Sequence, residues 1–103
     1  MKKFGPLSLD MLVACQILHH RVHNNGAKSE FGLLVRELDG LVSKSAVSPI
    51  LNNLLKWGIV NTEFGETSAG RAGRLYYISN EAESFVKSTY DLFWDDIEEQ
   101  RNN

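Results

Sequence analysis

Two groups of polar side chains in this chain have the types and spacing to bond a phosphate backbone and base edges. The stretch "SAVSPILNNLLKWGIV", residues 45–60, has helical spacing, with Val47, Leu51, Leu54 and Leu55 as its apolar stripe. That leaves Ser45, Ser48, Asn52 and, near the end, Lys56 facing outward, with Lys44 ahead of them. Small hydroxyls and an amide approach a groove closely and bond phosphates or bases. The second group is Arg71 and Arg74, with no acid between them, at the end of the glycine-rich run "GETSAGRAG", residues 65–73. Arginines on a flexible tip suit a minor groove or a phosphate rail.

Other chemistry is thinly supported. His19 and His23 in "HHRVH" lie one helical turn apart, but no CxxC or carboxylate-rich partner supplies further metal ligands. Histidines near a helix C-terminus are also favourable against its dipole. Cys15 is the single cysteine and sits in an apolar helical pattern, so it cannot form an internal disulfide and reads as a buried thiol in a reducing interior. No nucleophile–base pair or phosphate-binding P-loop occurs. The expectation is no enzyme activity, no metal and no cofactor.

The elements that must position these residues follow from length and periodicity. At 103 residues the chain makes one domain with one modest core, and 43% hydrophobic against 23% charged residues argues against global disorder. No apolar run approaches the roughly 20 residues of a membrane span. The start, Met1 to Pro6, is basic but lacks a signal-peptide core. A cytoplasmic location is expected.

Between Leu7 and Asn25, two apolar stripes (Leu9, Leu12, Val13, Ile17 and Met11, Cys15, Leu18, Val22) predict a helix capped by Ser8 and stopped by Asn24-Asn25-Gly26. A second helix, Glu30 to Leu38, would be capped by Ser29 and ended by Asp39-Gly40. A short turn to Ser43 leads to the third helix. Pro49 is its first residue if Ser48 is the cap, or lies near the end of the first turn if Ser43 or Ser45 is. In either case residues 43–48 stay exposed, at the end a helix-turn-helix reader turns to DNA.

From Ile59 the period becomes two: Val60, Thr62 and Phe64 alternate with Asn61 and Glu63. A loop over residues 65–73 and a strand from Arg74 to Ser79 complete a hairpin, and Ser79 or Asn80 caps a last helix from Glu81 to about Glu99. The fold class is α+β, mostly α: a winged helix-turn-helix of three helices, a two-stranded wing and a C-terminal dimerisation helix. Residues 1–80 form the DNA-binding domain and residues 81–103 the terminal helix with an acidic tail.

Charge divides the same way. Residues 1–80 carry nine Lys/Arg against six Asp/Glu, and residues 81–103 two against seven. The two parts face different partners, or the acidic end is a solvated tail. In the last helix Val86, Tyr90, Phe93 and Ile97 form a seam suited to a second helix, with Phe85, Leu92 and Trp94 beside it. More apolar width than one small domain covers points to a dimer, which would set two recognition helices on successive major grooves of a pseudo-palindrome.

The stretch "SAVSPILNNLLKWGIV" followed by "GRAGRLYYISNEAESFV" resembles the PadR family of winged-helix transcriptional regulators. The matching residues are Pro49, Leu51, Leu54, Gly58, Gly70, Arg71, Arg74, Tyr76 and Tyr77, within residues 30 to 86. The chain departs from the family at Glu30-Phe31-Gly32, Ser48 and Ala72. MarR-like and penicillinase-repressor-like proteins share the plan. The resemblance implies dimerisation through the terminal helix and, for some small members, a planar aromatic effector bound by a tryptophan there, the place of Trp94. The resulting expectation is a homodimeric repressor that occupies an operator in double-stranded DNA. The alternative is a winged-helix adaptor that binds protein instead.

Overall fold

Ser8 opens the chain's first helix as the spacing requires: its hydroxyl accepts a hydrogen bond from the Met11 amide at 3.2 Å. The structure, a computed structural model, describes residues 8–101; the basic segment Met1 to Pro6 lies outside the described residues. In chain order the elements are α1 (Leu9–His23), β1 (Ser29–Glu30), α2 (Phe31–Glu37), α3 (Lys44–Lys56), β2 (Val60–Glu66), β3 (Ala72–Ile78) and α4 (Glu83–Arg101). This is the winged-helix order, with one strand more than the sequence showed. Among the described residues no helix is long and apolar enough to cross a membrane.

The added strand corrects the reading of Ser29. Instead of capping α2, Ser29 pairs with Tyr76 and Glu30 with Leu75, so the antiparallel sheet runs β1-β3-β2. Glu30 takes the N-cap position without a side-chain bond. A two-residue strand has no period to detect; only the approach of β3 creates it. The hairpin is also longer than expected. Glu66 pairs with Ala72 and Gly65 with Gly73, leaving Thr67 to Arg71 as the connection. Leu75 lies against Gly65, where an added Cβ would come within 2.7 Å of its Cδ1, so a larger residue here would have to push the Leu75 side chain aside.

One core joins all of this. Leu12 through Leu18 are buried without a break, which explains two apolar stripes on one helix: α1 is the centre of the bundle. Leu9 and Val22, at the ends of those stripes, are exposed. The same core takes in Leu34 of α2 and Leu38 at its C-cap, Val47, Leu51 and Leu54 of α3, Val60 and Ile78 of the sheet, and Val86 and Ile97 of α4. Each such side chain contributes roughly 1.5–3 kcal/mol by leaving water.

α1 and α4 lie antiparallel. Arg21 pairs with Glu83 at 3.0 Å, the Tyr90 hydroxyl meets His19 Nδ1 at 2.8 Å, and Arg101 donates to the buried Gln16 Oε1 at 2.6 Å. This corrects the reading of the last helix. Val86 and Ile97 are fully buried and Trp94 is 8% exposed, all within their own chain, while Tyr90 and Phe93 are half-buried. The seam predicted to meet a second subunit closes on α1. Its apolar neighbours Phe85 and Leu92 are the ones left in water, 57% and 74% exposed.

Candidate nucleic-acid interface

α3 occupies the place of the second helix of a helix-turn-helix. Gly40, at φ +87°, breaks the chain after α2, and the Leu41 and Val42 amides both donate to the Leu38 carbonyl to tighten the turn. Ser43 is the N-cap residue, although its side chain makes no capping bond. Ser43 is one of the caps the sequence offered, and it makes Pro49 the sixth helical residue, in the second turn rather than near the end of the first. With no N–H on Pro49, the Ser45 carbonyl lacks its helical donor and is left on the exposed face. Val47, Ile50, Leu51 and Leu54 point inward; Leu55, expected among them, is half-buried.

Lys44, Ser45, Ser48 and Asn52 are all exposed, and Ser45, Ser48 and Asn52 share one helical face at i, i+3 and i+7. Asn53 is spent elsewhere, its amide donating to the Asp10 carboxylate and tying α3 to α1. The helix ends in a Schellman motif: the Ile59 amide reaches the Leu54 carbonyl and the Gly58 amide the Leu55 carbonyl, with Gly58 at φ +74°. The chain thus turns directly from α3 into the wing. Trp57, at the cap, stays 71% exposed.

The wing is stiffer than its glycines suggested. Thr67 donates to the Arg71 carbonyl from both its amide and its hydroxyl, and the Ser68 amide and hydroxyl both donate to Glu30 at 3.0 Å. At its base Lys28 pairs with Glu63 at 3.0 Å and lies over the Tyr77 ring. Arg71 and Arg74 are exposed. Arg74 stands opposite Phe64, its guanidinium carbon 5.5 Å from the ring centroid.

Electrostatically the cations differ in what they hold: Arg101 of α4 donates to Gln16, and Arg36 of α2 is exposed with no ion pair among the described residues. Arg21, Lys28 and Lys87 each hold a carboxylate. Lys44, Lys56, Arg71 and Arg74, on α3 and the wing, have no ion pair among the described residues. Glu66 is the opposing charge on the wing and Asp95 and Glu99 are exposed on α4.

The sequence reading missed Phe64, which it placed in the inward alternation and which is 73% exposed, and Glu30, which anchors the wing tip. A glycine right after Phe64 and an arginine as cross-strand partner are the signals, and the second needs the register. The other chemistry resolves plainly. Burial pushes the Cys15 thiol up to about 12, so it packs and does not react. His19 stacks on Trp94 at 4.3 Å and lies beside His23. Trp94, proposed from the resemblance as an effector platform, already has His19, Tyr90 and Arg101 against it. No group of three or more potential metal ligands occurs among the described residues.

No family model and no curated protein sequence matches this chain. Solved structures do. It is similar to the circadian clock associated protein Pex from Anabaena, with a TM-score of 0.67 at 18% identity over 91% of this chain and 84% of that one. A PadR-like transcriptional regulator from Bacillus cereus superposes with a TM-score of 0.64 at 14% identity, over 89% of each chain. A transcriptional regulator of the MarR family from Enterococcus faecalis gives 0.54 at 18% identity, over 99% of this chain and 93% of that one. At these identities the likeness establishes the fold, and the fold is the winged helix of PadR-type regulators.

Proposed function

We propose that this winged-helix chain is a DNA-binding transcriptional regulator, acting in the cytoplasm as a homodimeric repressor on a pseudo-palindromic operator. The observation that carries the reading is the set of exposed cations on α3 and the wing that hold no carboxylate. Lys44, Lys56, Arg71 and Arg74 have no ion pair among the described residues, whereas Arg21, Lys28 and Lys87 have one; Arg36 on α2 is the other exposed cation without one. Unpaired surface cations displace the counterions of a duplex when they meet its phosphates. Ser45, Ser48 and Asn52 would meet major-groove edges, and Arg71 and Arg74 the flanking backbone or minor groove. Repression would follow from occupancy alone, with no catalysis. The second subunit would join through the exposed Phe85 and Leu92 of α4, flanked by Tyr90 and Phe93. An aromatic effector at Trp94 would have to displace His19 and Arg101 before it could stack.

The test is selection of genomic fragments at moderate salt, followed by anisotropy titrations of a recovered site. Inverted repeats should be recovered, and the slope of log K against log salt should be about −7 for eight phosphate contacts per dimer. Arg71→Ala/Arg74→Ala should lower its magnitude by about 3–4, because four contacts are removed. Absence of any duplex binding at low salt would sink this reading in favour of the protein-binding adaptor.

A further inference from the structure

The core face of the sheet continues past the point where the helices stop covering it. Side chains alternate along a strand, so Val60, Thr62 and Phe64 of β2 share a face, and Ile78, Tyr76 and Arg74 stand opposite them on β3. Val60, Ile78 and Tyr76 are buried beneath the helices. One pair further out, Phe64 is 73% exposed and lies outside the core formed by the described residues. Its neighbour Arg74 lies over the ring and holds no carboxylate among the described residues. A phenylalanine is thus held out on the helix side of the wing, next to a cation free to take a phosphate.

The support beneath it is rigid. Leu75 closes over Gly65 on the opposite face, Thr67 ties the turn to Arg71, and Ser68 is bonded twice to Glu30. A ring presented by a stiff hairpin beside an unpaired guanidinium has the form of an apolar wedge, the device by which minor-groove proteins open a base step and kink the duplex.

We infer that Phe64 enters a base step of bound duplex DNA from the minor groove and unstacks it, while Arg74 holds the adjoining phosphate. This rests on the DNA-binding reading above. Pyrimidine–purine steps open most readily, so the wedge favours operators with a TpA step under the wing.

The probe is an alternating A·T duplex carrying 2-aminopurine at several TpA steps and a fluorescein at one end, at low salt. Anisotropy reports binding and 2-aminopurine emission reports unstacking. Wild type should saturate the duplex with a rise in 2-aminopurine emission. Phe64→Ala should bind about tenfold more weakly and give no rise at saturation. Phe64→Leu, which keeps an apolar wedge, should keep part of the rise. Thermal melts will confirm that these exposed-site variants are folded. Saturation by wild type without a rise, or the same rise with Phe64→Ala, overturns the wedge while leaving DNA binding intact. Silence in both signals removes the DNA-binding reading, and the wedge with it.

Discussion

Ser79 carries more of the fold than its size suggests. Its buried hydroxyl donates to the Gly58 carbonyl at 2.7 Å and accepts from the Ala82 amide at 3.2 Å, while its own amide donates to the Ile59 carbonyl. It joins the end of α3, the end of β3 and the approach to α4. Ser79→Ala takes the hydroxyl donor from the Gly58 carbonyl, while the Ala82 amide keeps its bond to the Ser79 carbonyl, and should cost about 1 kcal/mol, read as a fall of a few degrees in a thermal melt. His19 sets a pH dependence. Burial, then the neighbouring His23, lowers its pKa below 6.5; Arg101 lowers it further, while Glu98 and Glu37 oppose the shift. The unfolded chain therefore binds the proton more readily than the fold does. The contribution to stability is complete above about pH 6.5 and is lost as pH falls through the lowered folded value. Tm should drop on going from pH 7.5 to 5, and His19→Gln should flatten that part of the profile. Among single residues, the buried Cys15 and the exposed Lys44, Ser45, Ser48 and Asn52 were legible in the sequence because a 3.6-residue period assigns faces. Phe64 was not, because period two names a face of the strand but not where the covering helices end.

At the scale of elements, α3 contains its own weak point. A proline at the sixth helical position removes one backbone bond and crowds the preceding turn, a cost of up to about 3 kcal/mol in a helix interior. Pro49→Ala should therefore raise the melting temperature, since the side chain is exposed and packs against nothing in the core. The same variant supplies a donor to the Ser45 carbonyl, so any duplex contact made by that oxygen would be weakened in anisotropy titrations. The ends of α1 and α3 were legible because Asn25, Gly26 and Gly58 take positive φ where a helix must reverse. The start of α2 was misread because Ser29 has the chemistry of a cap, and nothing local says that β3 will claim it first.

For the whole molecule, the consequence lies in which apolar residues of α4 remain for a partner. Phe85 and Leu92 are seven residues apart on one face and exposed. Leu92→Glu should leave the monomer's stability nearly unchanged and shift the sedimentation coefficient from dimer to monomer at micromolar concentration. Trp94→Ala should act in the opposite sense. It removes an aromatic packed in the chain's own core and should cost about 3–5 kcal/mol, seen as a large loss of Tm.

The order of the four helices and the hairpin, most of the inward stripes, the glycine reversals and the outward polar face of α3 were determined by the sequence itself. Each follows from local periodicity or from a backbone conformation that few residues tolerate. Only the tertiary structure decided the partners. The packing of α1 against α4 turned an apparent subunit seam into core, and the approach of β3 turned a capping serine into a strand. The register of the hairpin set Arg74 beside Phe64. These outcomes depend on contacts between residues far apart in the chain, where no spacing rule reaches.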